Sequence, residues 1–397
     1  MSKYFEFFCP VKILSGHTAL ENIPFELSQL RAGSPLLLTD KGVAGAGLLK
    51  HITDAFRESN ITVPVLFDEV PPDSAVKTVN EVAGLYRRYG CDSIIAVGGG
   101  SVMDTATGVN IVVSEKSNDL MKFMGAGILK RPLKPLIAVP TTSGTGSEVT
   151  LVAVIADTEA NRKMLFTSYF LLPNVAVIDS RMTMTLPPLL TAATGMDALT
   201  HAVEAYTCLG KNPLSDAYAY AAIRLIRENI VKVTKSPQDR EGRLALANAA
   251  AMAGIAFSNS MVGMVHTLGH TVGALCHIPH GVAMNILLPY VLSYNLDKGD
   301  ASILCSVGEL LLPLAEPEVF VSTPYNDRPY KTIEMIEHLK QALFEAAGLP
   351  RTLKESGLVR FDQLDEIAGQ ALNDASLVYN PVEMELDDAL TVLKKAF

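Results

Sequence analysis

Short apolar runs bounded by turn residues recur through the first 180 residues or so and alternate with stretches of helical period. Residues 5–14 read as a strand or short hairpin ending at Ser15-Gly16, and residues 18–31 as helix. Ser34-Pro35-Leu36-Leu37-Leu38-Thr39-Asp40 is then a buried strand with Asp40 at its carboxyl end. A helix over 47–59 precedes a strand at 63–67. After Pro71-Pro72-Asp73, Ser74 is placed to cap a helix that runs to Tyr89. The strand at 93–97 enters Gly98-Gly99-Gly100-Ser101. Ile137-Ala138-Val139 enters Pro140-Thr141-Thr142-Ser143-Gly144-Thr145-Gly146-Ser147-Glu148, and 175–179 is the last strand. This alternation predicts an α/β region with a parallel sheet covered by helices on both faces.

From Leu186-Pro187-Pro188 the period becomes that of helices: 189–207, 216–232, 243–257, 332–346, 361–372 and 385–396. Residues 243–257 are apolar almost all round and belong at the centre of a helical core. The expected domains are therefore 1–185, an α/β dinucleotide-binding domain, and 186–397, an all-α domain.

Composition narrows the function. With 397 residues the chain is long enough for two cores, and 49% hydrophobic against 19% charged residues is an ordinary soluble balance. A net charge of -9 argues against nucleic acid or an anionic membrane surface as partner. The N-terminus shows no charged region followed by a long apolar run, and the five cysteines are scattered with no C-x-x-C pair. A cytoplasmic protein with reduced thiols is expected.

Half of the eight histidines fall in Gly263–Gly281, as His266, His270, His277 and His280. His266 and His270 are four apart and share a helix face, and His280 follows the turn residue Pro279. Asp197 and His201, also four apart, supply a carboxylate and a further nitrogen from another helix. Neutral imidazoles converging with a carboxylate in an apolar setting make a divalent-metal site; hydrogen-bonded core histidines are the plainer alternative.

Two loops suit a nucleotide. GGGSVMD at 98–104 brings three glycines between strand and helix, where backbone N–H groups are open to phosphate, and Ser101 with Asp104 matches a capping box. It is not G-x-G-x-x-G, because Met103 stands where the third glycine would be, and the best acidic candidate, Asp40, precedes the glycines. The hydroxyl-rich loop at 140–148 can hydrogen-bond pyrophosphate without lysine, or be a plain turn.

Together GGGSVMD, PTTSGTGSE, GMDALTHAVEAY and HTLGHTVGALCHIPHG resemble the iron-containing (group III) alcohol dehydrogenases, in order and over nearly the whole chain. The resemblance implies a Rossmann-like domain plus a helical one, in the architecture shared with dehydroquinate synthase. It implies that Asp197, His201, His266 and His280 bind the metal, and that His270 lies near nicotinamide and substrate. Cofactor would lie along Gly98, Gly99, Gly100 and Ser101 beside Thr141, Thr142 and Thr145, with Asp40 at the adenosine ribose and Lys163 at the nicotinamide ribose. The sequence departs from the family's pattern at Ser180-Arg181-Met182, and His277 is a neighbour that many relatives lack.

The implied reaction interconverts a small primary alcohol or diol and its aldehyde. Hydride passes to or from the nicotinamide, and a divalent metal, Fe(II) or else Zn(II), acts as Lewis acid. His270 is the expected proton relay, and Asp40 implies NAD over NADP. Val152 and Phe257 are expected in the substrate wall, and an exposed N-terminal strand makes a homodimer or higher homo-oligomer reasonable. The alternative is an NAD- and metal-dependent lyase of the dehydroquinate synthase type, which needs several Lys and Arg at the site. Residues 263–281 contain neither.

Overall fold

The computed structural model describes residues 4–157 and 162–397. The chain divides into an α/β unit, Phe8–Leu186, and a helical unit, Pro187–Phe397, with which the segment before Phe8 is grouped.

In the α/β unit the strands are β1 (Lys12–Gly16), β2 (Pro35–Leu38), β3 (Val65–Phe67), β4 (Ser93–Gly98), β5 (Gly125–Ala126), β6 (Leu136–Pro140), β7 (Val152–Asp157), β8 (Arg162–Thr167) and β9 (Val175–Asp179). Six form one sheet in the order β1-β9-β6-β4-β2-β3, and every pairing in it is parallel. The expected parallel sheet is thus present. Alternate residues of β4 feed opposite cores. Ile94 and Ala96 pack with Leu36, Val79 and Val82, while Ile95 and Val97 pack with Leu37, Val43 and Ile52. Burial on both faces is why these strands read as unbroken apolar runs.

From β2 the chain moves outward to β3, and from β4 it moves the opposite way to β6. The carboxyl ends of β2 and β4 therefore flank a topological switch point, where open α/β sheets bind ligands. Asp40 follows β2 and Gly98–Gly100 closes β4. An acidic residue that precedes the glycines in sequence is thus their neighbour in the sheet.

Several local expectations need correction. β1 begins only at Lys12, because residues 4–11 take no regular structure. The helix expected over 47–59 spans Leu49–Ala55. Ser74 caps nothing: the helix Val76–Arg88 has Ala75 at its N-cap, and Thr105 Oγ1 donates to Ser74 Oγ at 2.9 Å. Nor does the Ser101/Asp104 capping box form. Gly99 is the N-cap of helix Gly100–Ser114, and Ser101 Oγ donates to the Pro72 carbonyl instead. Asp104 accepts from the Val154 backbone N–H, and burial pushes its carboxyl up to about 7. A second sheet, β5-β8-β7 with an antiparallel β7/β8 pair, went unread in the sequence.

The helical unit is built on Pro188–Thr207, Pro213–Lys235, Arg240–Ser258, Met264–Cys276, His280–Lys298 and Arg328–Ala347. Their shared core includes Leu199, Val203, Ile226, Ala250, Leu268 and Ile286, all at most 2% exposed. Ala249, Ala250 and Ala253 on helix Arg240–Ser258 are among the most buried, as its apolar circumference predicts. Among the described residues no helix is long and apolar enough to cross a membrane.

Candidate metal centre and nucleotide loops

The metal candidates come from three helices of one unit. Asp197 and His201 lie one turn apart on Pro188–Thr207, and His266 sits in the first turn of Met264–Cys276. That helix ends at His277, which adopts the left-handed conformation (φ 55°) as C-cap. Pro279 then starts a new helix with His280 as its first residue. The break at 277–279 turns the chain back, so His280 and His266 reach one point while His277 stays exposed at the turn.

One donor atom from each of Asp197, His201, His266 and His280 lies within 4.8 Å of the other three. Asp197 Oδ1 is 3.3 Å from His280 Nε2 and 3.9 Å from His201 Nδ1. The His201 and His266 rings stack at 4.5 Å, and the His266 and His280 centroids are 5.4 Å apart. His270 is outside this group of four. Its ring is 5.5 Å from that of His280, and its Nδ1 is 3.0 Å from Asp374 Oδ2.

The electrostatics suit a cation. Burial, reinforced by neighbouring imidazoles, pushes His201 down to about 3 and His266 well below its ordinary value, so both are neutral at physiological pH. Burial of Asp197 acts upward, but His201 and His280 outweigh it and hold the carboxyl below the usual range. Asp197 Oδ1, His201 Nδ1 and His266 Nε2 are all buried with no hydrogen-bond partner. Each such atom costs about 1–3 kcal/mol if left unsatisfied. A single divalent cation satisfies all three, and one oxygen with three nitrogens is a donor set such ions accept.

Phe257 lies flat against His201, with centroids 4.3 Å apart, and walls that side of the group. Val152 opens β7 in the α/β unit, half-buried and paired with Thr167. Sequence reasoning passed over Glu204 and Asp374. Glu204 carried a signal: it stands seven residues after Asp197, on the face that Asp197 and His201 share. Burial pushes its carboxyl up to about 7, against hydrogen bonds from the backbone at Gly263, Val265 and His266. Asp374, more than a hundred residues from His270, carried none.

In the α/β unit the two loops meet. Thr141 N donates to Gly98 O at 3.1 Å, and a Cβ on Gly100 would press on Thr145 Cγ2 at 3.2 Å, so the glycine there permits the close approach. Thr142 lies beside Gly99 in the same way. Asp40 accepts from Val43 N at 2.9 Å with Oδ1 and so caps the helix Lys41–Gly45. Lys163 lies exposed on β8, paired with Ala156. Arg181, at the departure from the family's pattern, donates to Asp179 and to Glu21.

Glycine- and hydroxyl-rich loops at strand ends and a buried Asp/His group are features found in enzymes that use both a nucleotide and a metal. Comparison with known proteins makes this specific. Residues 10–180 match the model of the iron-containing alcohol dehydrogenase family, and residues 191–397 match that family's C-terminal model. The chain is 35% identical over 397 residues to the 1,3-propanediol dehydrogenase of Klebsiella pneumoniae, covering 100% of this chain and 99% of that one. It is 32% identical to the NAD-dependent methanol dehydrogenase of Bacillus methanolicus, covering 98% and 99%. A solved 1,3-propanediol oxidoreductase superposes with a TM-score of 0.93 at 34% identity, with both chains fully covered. The chain belongs to the iron-containing alcohol dehydrogenase family. It is an oxidoreductase, and the lyase alternative is set aside.

Proposed function

We propose that this protein is an NAD-dependent enzyme that interconverts a small primary alcohol or diol and its aldehyde, with Fe(II) at the Asp197, His201, His266 and His280 group. The observation that carries this reading is that group itself: a carboxylate and imidazoles converging in the core, three of their donor atoms without a hydrogen-bond partner. An oxygen and nitrogen set with no thiolate suits Fe(II), with Zn(II) the nearest substitute. When bound, the metal supplies Lewis acidity toward the substrate oxygen and the nicotinamide accepts or gives the hydride.

The chain's residues do the rest. Gly98, Gly99, Gly100 and Ser101 expose backbone to the pyrophosphate, with Thr141, Thr142 and Thr145 donating hydroxyls beside it. Asp40 accepts from the adenosine ribose hydroxyls and disfavours a 2′-phosphate, and Lys163 serves the nicotinamide ribose. His270 donates through Nδ1–H to Asp374, which leaves Nε2 to move a proton and to contact the nicotinamide. Phe257 stacks on His201 as a wall for a small, partly apolar substrate. Val152, in the α/β unit, is the other residue assigned to substrate contact. Residues 1–185 serve as the nucleotide domain and 186–397 as the metal domain. Edge strand β1, with Phe5, Phe8 and Ile13 exposed in or just before it, supports a homodimer, and the free cysteines fit a cytoplasmic setting.

The test is a panel of aldehydes assayed with NADH on the iron-loaded protein. NADH oxidation that needs added iron and is lost in His266→Ala supports the reading. The same turnover after complete chelation overturns it.

A further inference from the structure

Glu204 is 4% exposed and stays out of the donor group; it reaches across to the helix that carries His266. There Oε1 accepts from Val265 N at 2.7 Å, and Oε2 stands 2.5 Å from His266 Nδ1. His266 itself is 2% exposed, so the pair lies within the core. With Glu204 ionised, both of its oxygens only accept, so Nδ1 carries the ring proton and Nε2 keeps its lone pair. Nε2 is one of the three donor atoms left buried without a hydrogen-bond partner.

The geometry points to Glu204 as a positioning residue that caps the His266 helix and holds His266 in its Nδ1–H form, with Nε2 offered to a divalent cation. This rests on the ligand set proposed above. Carboxylate partners of ligating imidazoles set tautomer and ring orientation in just this way. The charged, two-oxygen group is essential to it. A glutamine that turns its oxygen to the Val265 N–H presents its NH2 to Nδ1. The ring proton must then sit on Nε2, which closes the donor. With the amide reversed, the NH2 meets the Val265 N–H donor to donor.

The test titrates Co(II) into the metal-free wild type, Glu204→Gln and His201→Ala, followed by calorimetry and visible absorption, with metal-free melting recorded for each. Glu204→Gln is expected to bind Co(II) roughly 10- to 100-fold more weakly and with an altered spectrum, while its metal-free melting stays near wild type. Wild-type affinity in Glu204→Gln overturns the assignment. Wild-type affinity in His201→Ala instead removes the ligand set beneath it, so the two failures are told apart. Should Glu204→Gln not fold, imidazole 15N NMR of the zinc-loaded wild type decides the matter: a proton on His266 Nδ1 supports the proposal, and one on Nε2 overturns it.

Discussion

A Cβ added to Gly281 would run into the carbonyl oxygen of Ala193, four residues before Asp197. Only a glycine lets helix His280–Lys298 lie that close to helix Pro188–Thr207, and the closeness delivers His280 Nε2 to 3.3 Å from Asp197 Oδ1. Gly281→Ala should push the two helices apart. A stability loss of about 1–3 kcal/mol is expected from overpacking, together with weaker metal binding. Urea unfolding and metal titration of the variant check both; an unchanged metal affinity would show that the approach does not position His280.

Metal removal should destabilise the protein in a way that depends on the donors. A cation at 100 times its Kd adds about 2.7 kcal/mol to the folded state. Chelation should therefore lower the melting temperature of the wild type and leave that of His266→Ala unmoved. A chelator shift that survives in His266→Ala places the metal elsewhere.

His270→Ala should keep its metal and lose roughly 10²- to 10⁴-fold in rate, the usual range for a lost proton-transfer group. Asp374→Asn should slow the enzyme less, because it loosens the ring without removing it. Metal analysis beside kcat separates the roles: loss of bound metal in His270→Ala would make His270 a ligand.

Asp40→Gly should lower the NAD-to-NADP ratio of kcat/KM, since the carboxylate that repels a 2′-phosphate is gone. The same change removes the cap on Val43 N, but glycine at an N-cap costs only about a few tenths of a kcal/mol. An unaltered preference would remove Asp40 from cofactor selection.

Acid should weaken the α/β unit through Asp179. Burial acts to raise this carboxyl, but hydrogen bonds from Arg181 and from the Leu20 backbone hold it below the ordinary carboxylate range. A lowered folded value means that the stabilisation is complete above the unfolded value of about 3.9 and disappears as pH falls through the folded one. Asp179→Asn should cost about 2 kcal/mol at neutral pH, less than a fully buried pair because Arg181 is partly exposed. Its unfolding free energy should also fall less steeply below pH ~4 than that of the wild type. Parallel acid profiles for the two would assign the pH dependence to other groups.

What could be read in the sequence was local. Unbroken apolar runs such as Leu36–Leu38 and Ile94–Val97 announce strands buried on both faces, and the glycines and hydroxyls that follow β4 and β6 mark their carboxyl ends. The four-residue spacings of Asp197 with His201 and of His266 with His270 are statements about one helix face, and helical period alone supports them. The β7/β8 hairpin escaped notice because Val154 and Leu165 point outward, so neither strand shows a clean alternation of apolar and polar residues.

Tertiary structure decided everything that depends on two elements meeting. Period cannot say which of His266 and His270 faces Asp197; the crossing of three helices can, and it leaves His270 with Asp374. The choice between His277 and His280 turned on one left-handed residue and the helix restarting after it. Asp40 became the neighbour of the glycines only through strand order, and Glu204 met His266 only because its carboxylate reaches from helix Pro188–Thr207 to the first turn of helix Met264–Cys276. Hydrophobic period is written residue by residue along the chain. Convergence of donor atoms is a property of packing angles and approach distances, which no single stretch of sequence contains.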